Sequence, residues 1–173
     1  MNATFMDRFK AFLFDYLLIL VYLAILVVFG VFLFPSIQEL FSGSLIKAQF
    51  VGFMMVTLPI SLYFIVCDSI IIGQTFGKKK MGIQVFNENQ EVLPVLQAVY
   101  RVILKFIPWE LSHYLVYRMV ALGDDKIPIL YYMIGGLIYA LIFAYILTAI
   151  FTKKKQTLYD IAARTQVVKV ASK

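Results

Sequence analysis

Three titratable side chains lie inside long apolar stretches, where little water is expected. Asp15 interrupts the apolar residues 11–34, and Glu110 and His113, three residues apart, share one face of a helix. A carboxylate within a membrane is a candidate site for a cation or a proton, and histidine titrates near neutral pH. The three residues therefore form a candidate ion or proton site, in which Glu110 and His113 could share a proton.

These residues also have a structural interpretation. Asp15 could be a buried carboxylate that is held by hydroxyl groups, or by Arg101 or Lys105 of a later helix. Glu110 and His113 could be a polar pair that joins helices. The sequence leaves both interpretations open.

Asp68 is a fourth candidate for the ion or proton site, because it lies near the end of the apolar residues 50–72. Alternatively, the Asp68 carboxylate is hydrated, or it forms an ion pair with one of the lysines that follow, Lys78, Lys79 and Lys80. The glycine and lysine spacing there does not match a phosphate-binding P-loop. These three lysines are instead expected to contact anionic lipid headgroups.

The sequence contains few of the groups that enzymes and metal sites use. It has one cysteine and one histidine, which excludes an internal disulfide and most metal clusters. The spacing of Glu110 and His113 is that of the Glu-x-x-His element of di-iron proteins. A di-iron site needs two such elements, and a chain with one histidine contains only one of them. There is no Ser/His/Asp or Cys/His arrangement. We therefore expect no enzyme activity, no metal and no cofactor.

The composition indicates the elements that must position these residues. Of the 173 residues, 62% are hydrophobic and 15% are charged, whereas soluble domains have about 45–50% and about 25%. The chain is therefore predicted to be an all-α integral membrane protein with a single domain, residues 1–173. Four transmembrane helices are predicted, at residues 11–34, 50–72, 98–120 and 127–151.

The third predicted span is the least apolar, and the positions of the lysines decide whether it crosses. Lysine clusters follow the second and the last span, at 78–80 and 153–155. Such clusters remain in the cytoplasm, so residues 98–151 must cross the membrane twice. Both termini and the segments 73–95 and 152–173 are then cytoplasmic. The alternative is an interfacial third helix, broken at Pro108. The net charge of +6 is explained by this topology, so no nucleic-acid partner is expected.

A short pattern recurs 82 residues later in the chain, from Gln74 to Gln156. In both places Gln-Thr and one hydrophobic residue are followed, after seven further residues, by Gln-Val, at residues 84–85 and 166–167. This recurrence predicts two parallel helix-pair repeats. Each repeat is expected to end in a strand, at 82–86 and 165–170, and the two strands are expected to form a small cytoplasmic β-sheet. A hairpin turn at 87–90, returning through 91–95, is also predicted.

Three ordered motifs, at residues 8–15, 73–85 and 158–168, resemble the RDD family of small bacterial membrane proteins. The arginine and two aspartates that name this family correspond to Arg8, Asp15 and Asp160. Tyr159 departs from the family pattern, in which histidine is common. The resemblance implies a multi-pass protein of the bacterial inner membrane. It also implies sodium/proton antiport, which is reported for some members.

The signature residues have simple local interpretations as well. Arg8 could be an anchor that reaches the lipid phosphates, or it could pair with Asp160. Asp160 follows Thr157 by three residues, a spacing that predicts a capping box on a short helix.

Two functions therefore remain open. The first is an antiporter of Na⁺ or another small cation against H⁺, with Asp15, Glu110 and His113 as its buried titrating groups. The second is a non-transporting accessory protein that binds a partner protein, a peptide or a lipid. Membrane lipids are expected partners in both. A homodimer or a larger assembly is expected for the antiporter, because four helices leave little room for a gated path. A stripe of small residues on the last span could pack within the bundle, across a homodimer or against a partner membrane protein: Gly136, Ala140, Ala144 and Thr148.

Overall fold

The structure, a computed structural model, describes residues 1–123 and 126–170. It is mostly helical. The helices are α1 (Phe5–Val28), α2 (Leu45–Gly52), α3 (Leu58–Asp68), α4 (Phe76–Lys80), α5 (Val95–Leu122), α6 (Ile129–Phe151) and α7 (Leu158–Ala162). The strands are β1 (Ile83–Asn87) and β2 (Thr165–Lys169). A π-helical turn, Phe53–Thr57, joins α2 to α3 without a break, and another, Phe29–Leu33, extends α1.

Within the described residues, three helical segments are long and apolar enough to cross a membrane. They are Phe5–Leu33, Leu45–Asp68 and Ile129–Phe151. Their large side chains are widely exposed, as the values of 58% for Leu17 and 60% for Phe143 illustrate. An apolar surface this extensive is suited to lipid and not to water. The prediction of an integral membrane protein is therefore confirmed.

The ends of the first two segments differ from the predicted ones. The first helix begins at Phe5 and not at residue 11, because Thr4 and Asp7 form a capping box at its N-terminus. The second segment ends at Asp68 and not at residue 72, because the backbone of Ser69 is extended. Apolarity alone does not locate these ends, since both depend on local hydrogen bonds.

Helix α5 is a single helix of 28 residues that continues through Pro108. Its four charged residues, Arg101, Lys105, Glu110 and Arg118, are spread along the helix, whereas the charged residues of α1 all lie between Asp7 and Asp15. At about 1.5 Å per residue α5 is nevertheless about 40 Å long, enough for the apolar core of a bilayer.

Two prolines lie inside the helical segments, and each leaves a backbone carbonyl free because proline has no N–H to donate. The freed carbonyls lie four residues before Pro59 and Pro108. Each accepts a hydrogen bond of 2.6 Å from a tyrosine hydroxyl of another helix: Tyr22 donates to Met55, and Tyr145 donates to Leu104. The prolines therefore also fix contacts between helices.

The small sheet consists of β1 and β2, which are antiparallel, with Val85 opposite Val167 at the centre of the register. The chain start joins the same sheet, because Ala3 N–H donates to the Val167 carbonyl at 2.9 Å. The predicted two-strand pairing is therefore confirmed. The predicted turn at 87–90 is present, because the N–H of Gln90 donates to the Asn87 carbonyl at 3.2 Å and the N–H of Asn87 donates to the Glu91 carbonyl at 2.9 Å. The returning segment pairs with β1 through one bridge, between Phe86 and Val92, and Pro94 then precedes the first turn of α5.

The sheet packs against the helices through a small apolar core. Its buried members come from β1, β2, α1, α5 and the segments just before α1 and α5: Ala3, Ala11, Ile83, Val85, Leu93, Ala98 and Val167. A second cluster, Ile60, Phe64 and Val102, joins α3 to α5. Together these clusters hold α1, α3 and α5 around the charged groups that lie between the helices and the sheet.

Two segments of the chain repeat the same local structure. Thr75 and Thr157 cap the short helices α4 and α7 in the same way. The side-chain amides of the preceding glutamines each donate to the first residue of the following strand: Gln74 to Ile83 at 2.9 Å, and Gln156 to Thr165 at 2.7 Å. The recurrent sequence pattern therefore corresponds to a recurrent cap, helix and strand.

Candidate functional site

A buried set of ion pairs joins helices α1, α3, α4, α5 and α7. At its centre, Arg101 donates from Nε to Oδ1 of Asp160 at 2.9 Å, and its Nη2 lies 2.8 Å from the same oxygen in an ion pair. Its Nη1 donates to Oδ2 of Asp68 at 2.9 Å. Both carboxylates are fully buried. The planar guanidinium can bridge two carboxylates in this way, because its donors point in several fixed directions.

Two further cations complete the set. Arg8 donates from Nη1 to Oδ2 of Asp160 at 2.5 Å, and Lys78 donates from Nζ to Oδ1 of Asp68. We name the five residues Arg8, Asp160, Arg101, Asp68 and Lys78 the charge network. Its charges alternate in sign, so that each buried acid has two cationic partners. Removing one member would leave a buried charge without its partner.

Asp160 also caps the N-terminus of α7. The N–H of Thr157 donates to Oδ2 of Asp160 at 3.2 Å, and the N–H of Asp160 donates to the Thr157 hydroxyl at 3.3 Å. The predicted capping box is confirmed. Burial acts to raise the pKa of Asp160, but the charges of Arg101 and Arg8 outweigh it and hold that pKa below its ordinary value. Asp160 is therefore an anion at neutral pH.

Lys78 departs from the expectation that all three lysines of α4 contact lipid headgroups. Its side chain is 11% exposed, because it turns inward to Asp68. Burial lowers the pKa of Lys78, and the opposing effect of the Asp68 charge only partly offsets this. Lys79 and Lys80 are exposed, so the expected lipid contact remains a prediction for these two.

Asp15 is buried next to the charge network but has its own hydrogen-bond donors. Oδ1 accepts from the Tyr63 hydroxyl at 2.8 Å and from the N–H of Gly77 at 2.7 Å. Oδ2 accepts from the Thr75 hydroxyl at 2.7 Å. Two hydroxyls and one backbone N–H thus satisfy this carboxylate, which agrees with the structural interpretation of Asp15. The contacts attach α4 to α1 and α3.

Gly77 lies where α4 approaches α1 most closely. A Cβ atom at this position would be 1.9 Å from the carbonyl oxygen of Ala11 and 3.0 Å from Cγ of Asp15. Only glycine fits this contact without a backbone movement. Its N–H is also one of the donors to Asp15, so packing and hydrogen bonding require the same approach of the two helices.

Glu110 and His113 lie farther along α5, and each has its own partner. The Thr57 hydroxyl donates to Oε1 of Glu110 and accepts from Nε1 of Trp109 at 3.1 Å. Nδ1 of His113 lies 3.1 Å from the carbonyl oxygen of Trp109. Within the described residues, no hydrogen bond joins Glu110 to His113. Thr57 is positioned for these contacts at the end of a π-helical turn, a feature that often re-aims one side chain.

The structure therefore separates the residues that were predicted to form one site. A cavity of about 80 Å³ is lined by Asp15 together with Arg8, Lys78, Arg101 and Lys105. Glu110 and His113 do not line it. Across residues 1–123 and 126–170, no group of three His, Cys, Asp or Glu side chains is placed to hold a metal ion.

The sequence model of the RDD family matches residues 2–164, nearly the whole chain. The chain belongs to the RDD family. The matched range includes all three signature residues, Arg8, Asp15 and Asp160, so the resemblance noted in the sequence is confirmed. No curated protein and no solved structure matches the chain.

In this RDD protein the signature residues connect parts of the chain that are far apart in sequence. Arg8 pairs with Asp160 across 152 residues, which agrees with the pairing alternative considered for it. Asp15 accepts from Gly77 across 62 residues. Two signature residues thus attach α1 to α7, and the third attaches α1 to α4.

Arg101 is the important member of the RDD site that sequence reasoning missed. The sequence suggested it only as a partner for Asp15, whereas it bridges Asp68 and Asp160. The sequence does contain one indication of this role. Arg101 lies inside the predicted span 98–120, and an arginine buried in a membrane is unfavourable unless it has an anionic partner. The choice among three acids depends on helix packing, which one sequence does not reveal.

Proposed function

We propose that this RDD protein is a non-transporting accessory membrane protein, without enzyme activity, in which the signature residues have a structural role. The observation that carries this proposal is the separation of the titratable groups. Asp15 is saturated by three donors and is 2% exposed. Glu110 and His113 have other partners, Thr57 on the π-helical turn before α3 and Trp109 on α5.

Antiport of Na⁺ or another small cation against H⁺ is the alternative, and it needs groups that bind and release both ions along one path. Of the five cavities described, none is lined by two of the residues Asp15, Glu110 and His113. Releasing Asp15 for transport would also break its contacts with α4. The geometry therefore favours the accessory function.

We expect the purified protein, reconstituted into liposomes that contain a pH-sensitive dye, to move no protons when sodium, lithium or potassium is added outside. The Asp15→Asn variant and protein-free liposomes should give the same trace as the wild type. A cation-dependent pH change in the wild type that the Asp15→Asn variant lacks would contradict the proposal. Circular dichroism of the liposomes would verify that both proteins are folded.

The accessory protein is further proposed to span the membrane four times. The chain start and β1 both reach the sheet, so α1 and the α2–α3 segment cross outward and back. Between β1 and β2, the described residues contain two long helices, α5 and α6. Since β2 pairs with β1, one crossing by α6 alone would leave the two strands on opposite sides. The pairing therefore supports a crossing by α5 as well.

The same connectivity supports two parallel repeats, each consisting of two long helices, a short capped helix and a strand. The register of the sheet has the symmetry expected for two such units, because the equivalent residues Val85 and Val167 face each other. Lys79, Lys80, Lys153 and Lys154 all lie near this sheet and are exposed. With positive residues inside, the sheet and both termini would be on the cytoplasmic side of the bacterial inner membrane.

We expect single cysteines in a Cys67→Ala background to report this topology. Ser42→Cys and Lys126→Cys should react with a membrane-impermeant maleimide on intact bacterial cells, whereas Lys79→Cys and Lys154→Cys should react only after permeabilisation. All four positions are exposed. If Lys126→Cys reacts only after permeabilisation, α5 does not cross and the four-span topology is wrong.

An accessory protein needs a surface for its partner. Part of the small-residue stripe on α6 remains open, because Gly136 and Ala140 are exposed and no atom lies within 4 Å of a Cβ built at Gly136. A second copy of the chain or a partner membrane protein could approach α6 closely there.

A further inference from the structure

The largest of the five cavities described, about 420 Å³, lies between α1 and α6. Helix α6 packs on α5, whereas α1 packs chiefly on α4, which leaves this space between them. Side chains that line it are also part of the outer surface: Phe12 is 47% exposed and Ile142 is 38% exposed. The cavity is therefore open toward the lipid that surrounds the helices.

One end of this cavity is basic and the remainder is apolar. Arg8 and Lys105 line it near the charge network, and no carboxylate is present among its described lining residues. Phe12, Trp109 and Ile142 continue the wall away from the network. From Lys105 to Ser112, the last lining residue of α5, the helix rises about 10 Å. The cavity is thus amphipathic along its length.

Lys105 lines the cavity and is not a member of the charge network. In the part of the chain that the structure describes, it has no ion pair, and its Nζ lies 3.3 Å from the centroid of the Phe64 ring. Arg8 is only partly satisfied by Asp160, because its Nε and Nη2 have no hydrogen-bond partner in the same described residues. These two nitrogens form one edge of the guanidinium, the edge that binds two phosphate oxygens at once.

Basic side chains outnumber acidic ones around the charge network. Four basic side chains lie there, and the carboxylates that face them are three: Arg8, Lys78, Arg101 and Lys105 against Asp15, Asp68 and Asp160. The charged form of an unpaired lysine next to lipid is costly, and an anion at the cavity would stabilise that form.

We infer that the cavity between α1 and α6 binds one anionic phospholipid, whose phosphate contacts Lys105 and Arg8 and whose acyl chain lies along Phe12, Trp109 and Ile142. This inference rests on the proposed accessory function and specifies its ligand. A zwitterionic lipid has the same apolar chain but a compensating positive charge in its headgroup, so the cavity should prefer the anionic lipid.

Trp109 provides the probe, because it lines the cavity and is the single tryptophan of the chain. The wild-type protein is reconstituted into phosphatidylcholine bilayers that contain phosphatidylglycerol, and either one lipid or the other is brominated on its acyl chains. Bromine quenches tryptophan fluorescence on contact. From the quenching of Trp109, we expect phosphatidylglycerol to bind in the cavity about fivefold more strongly than phosphatidylcholine. A factor of this size is typical of one basic side chain at an anionic membrane.

The variants separate the cavity from general surface charge. Lys105→Gln should reduce the preference to about onefold, and Lys105→Arg should retain it. Lys154→Gln removes the same charge from an exposed position outside the cavity and should leave the preference unchanged. Equal quenching by both lipids in the wild type, or an equal loss in Lys154→Gln and Lys105→Gln, would overturn the inference. Proton movement in the liposome assay would instead overturn the accessory function, so the two failures are distinguishable.

Discussion

Replacing Asp160 by asparagine is expected to lower the free energy of unfolding by about 3–5 kcal/mol, the usual cost of leaving buried charges unpaired. Arg8 and Arg101 both donate to this carboxylate, and neither can reach water easily because their side chains are 12% and 3% exposed. Asparagine keeps the size and can retain the cap of α7, so the loss reports on charge. Unfolding of the protein in mixed micelles, followed by circular dichroism, would measure the change.

Asp7 provides a matched control for Asp160. It too is the third residue of a capping box, on α1, but its ion-pair partner Lys169 is 46% exposed. Asp7→Asn should therefore cost about 1 kcal/mol or less. Equal losses for the two variants would show that capping alone accounts for Asp160.

The pKa of Asp160 gives the direction of the pH dependence. Because this pKa is lower in the folded protein than in the unfolded chain, the Asp160 contribution is fully present at neutral pH. It is lost as the pH falls below the ordinary carboxyl range and toward the folded pKa. The wild type should therefore lose more stability in acid than Asp160→Asn does.

Gly77→Ala is expected to destabilise the protein by about 3 kcal/mol, through overpacking and the loss of one hydrogen bond to a buried carboxylate. The added Cβ would be 1.9 Å from the Ala11 carbonyl oxygen, which belongs to a helix backbone and cannot rotate away. Helix α4 must then move off α1, and the N–H of residue 77 moves away from Asp15. The same unfolding measurement in mixed micelles tests this expectation.

Gly136→Ala is the control for this substitution. Gly136 lies inside α6 with open space around it, so alanine should be neutral or stabilise the protein by about 1 kcal/mol through its higher helix propensity. If Gly77→Ala were as mild as Gly136→Ala, the close contact between α4 and α1 would not contribute to stability.

Much of the fold was predictable because local patterns determine it. The membrane class follows from composition, and the two short strands follow from the recurrent pattern at Gln74 and Gln156. The capping box at Asp160 depends on residues three apart, so it could be identified without a structure. Each of these features depends on neighbouring residues or on repetition.

The candidate site was harder to predict, because its members meet only through tertiary packing. Asp68 and Asp160 were both recognised as unusual, but their shared partner Arg101 was not. Lys78 was indistinguishable by type from Lys79 and Lys80, although only Lys78 reaches a buried acid. The choice among chemically equivalent partners is made by the direction of each side chain.

The span of 152 residues between Arg8 and Asp160 also has a consequence for biosynthesis. Because synthesis proceeds from the N-terminus, α1 enters the membrane with Arg8 long before the ribosome has made Asp160. Arg101 also precedes Asp160, and its guanidinium bridges the two acids only when α7 has folded. Helix α1 is therefore secured by an element that is translated long after it. A nascent chain without α7 has no Asp160 carboxylate for Arg8, and Arg101 has only Asp68 of its two acids.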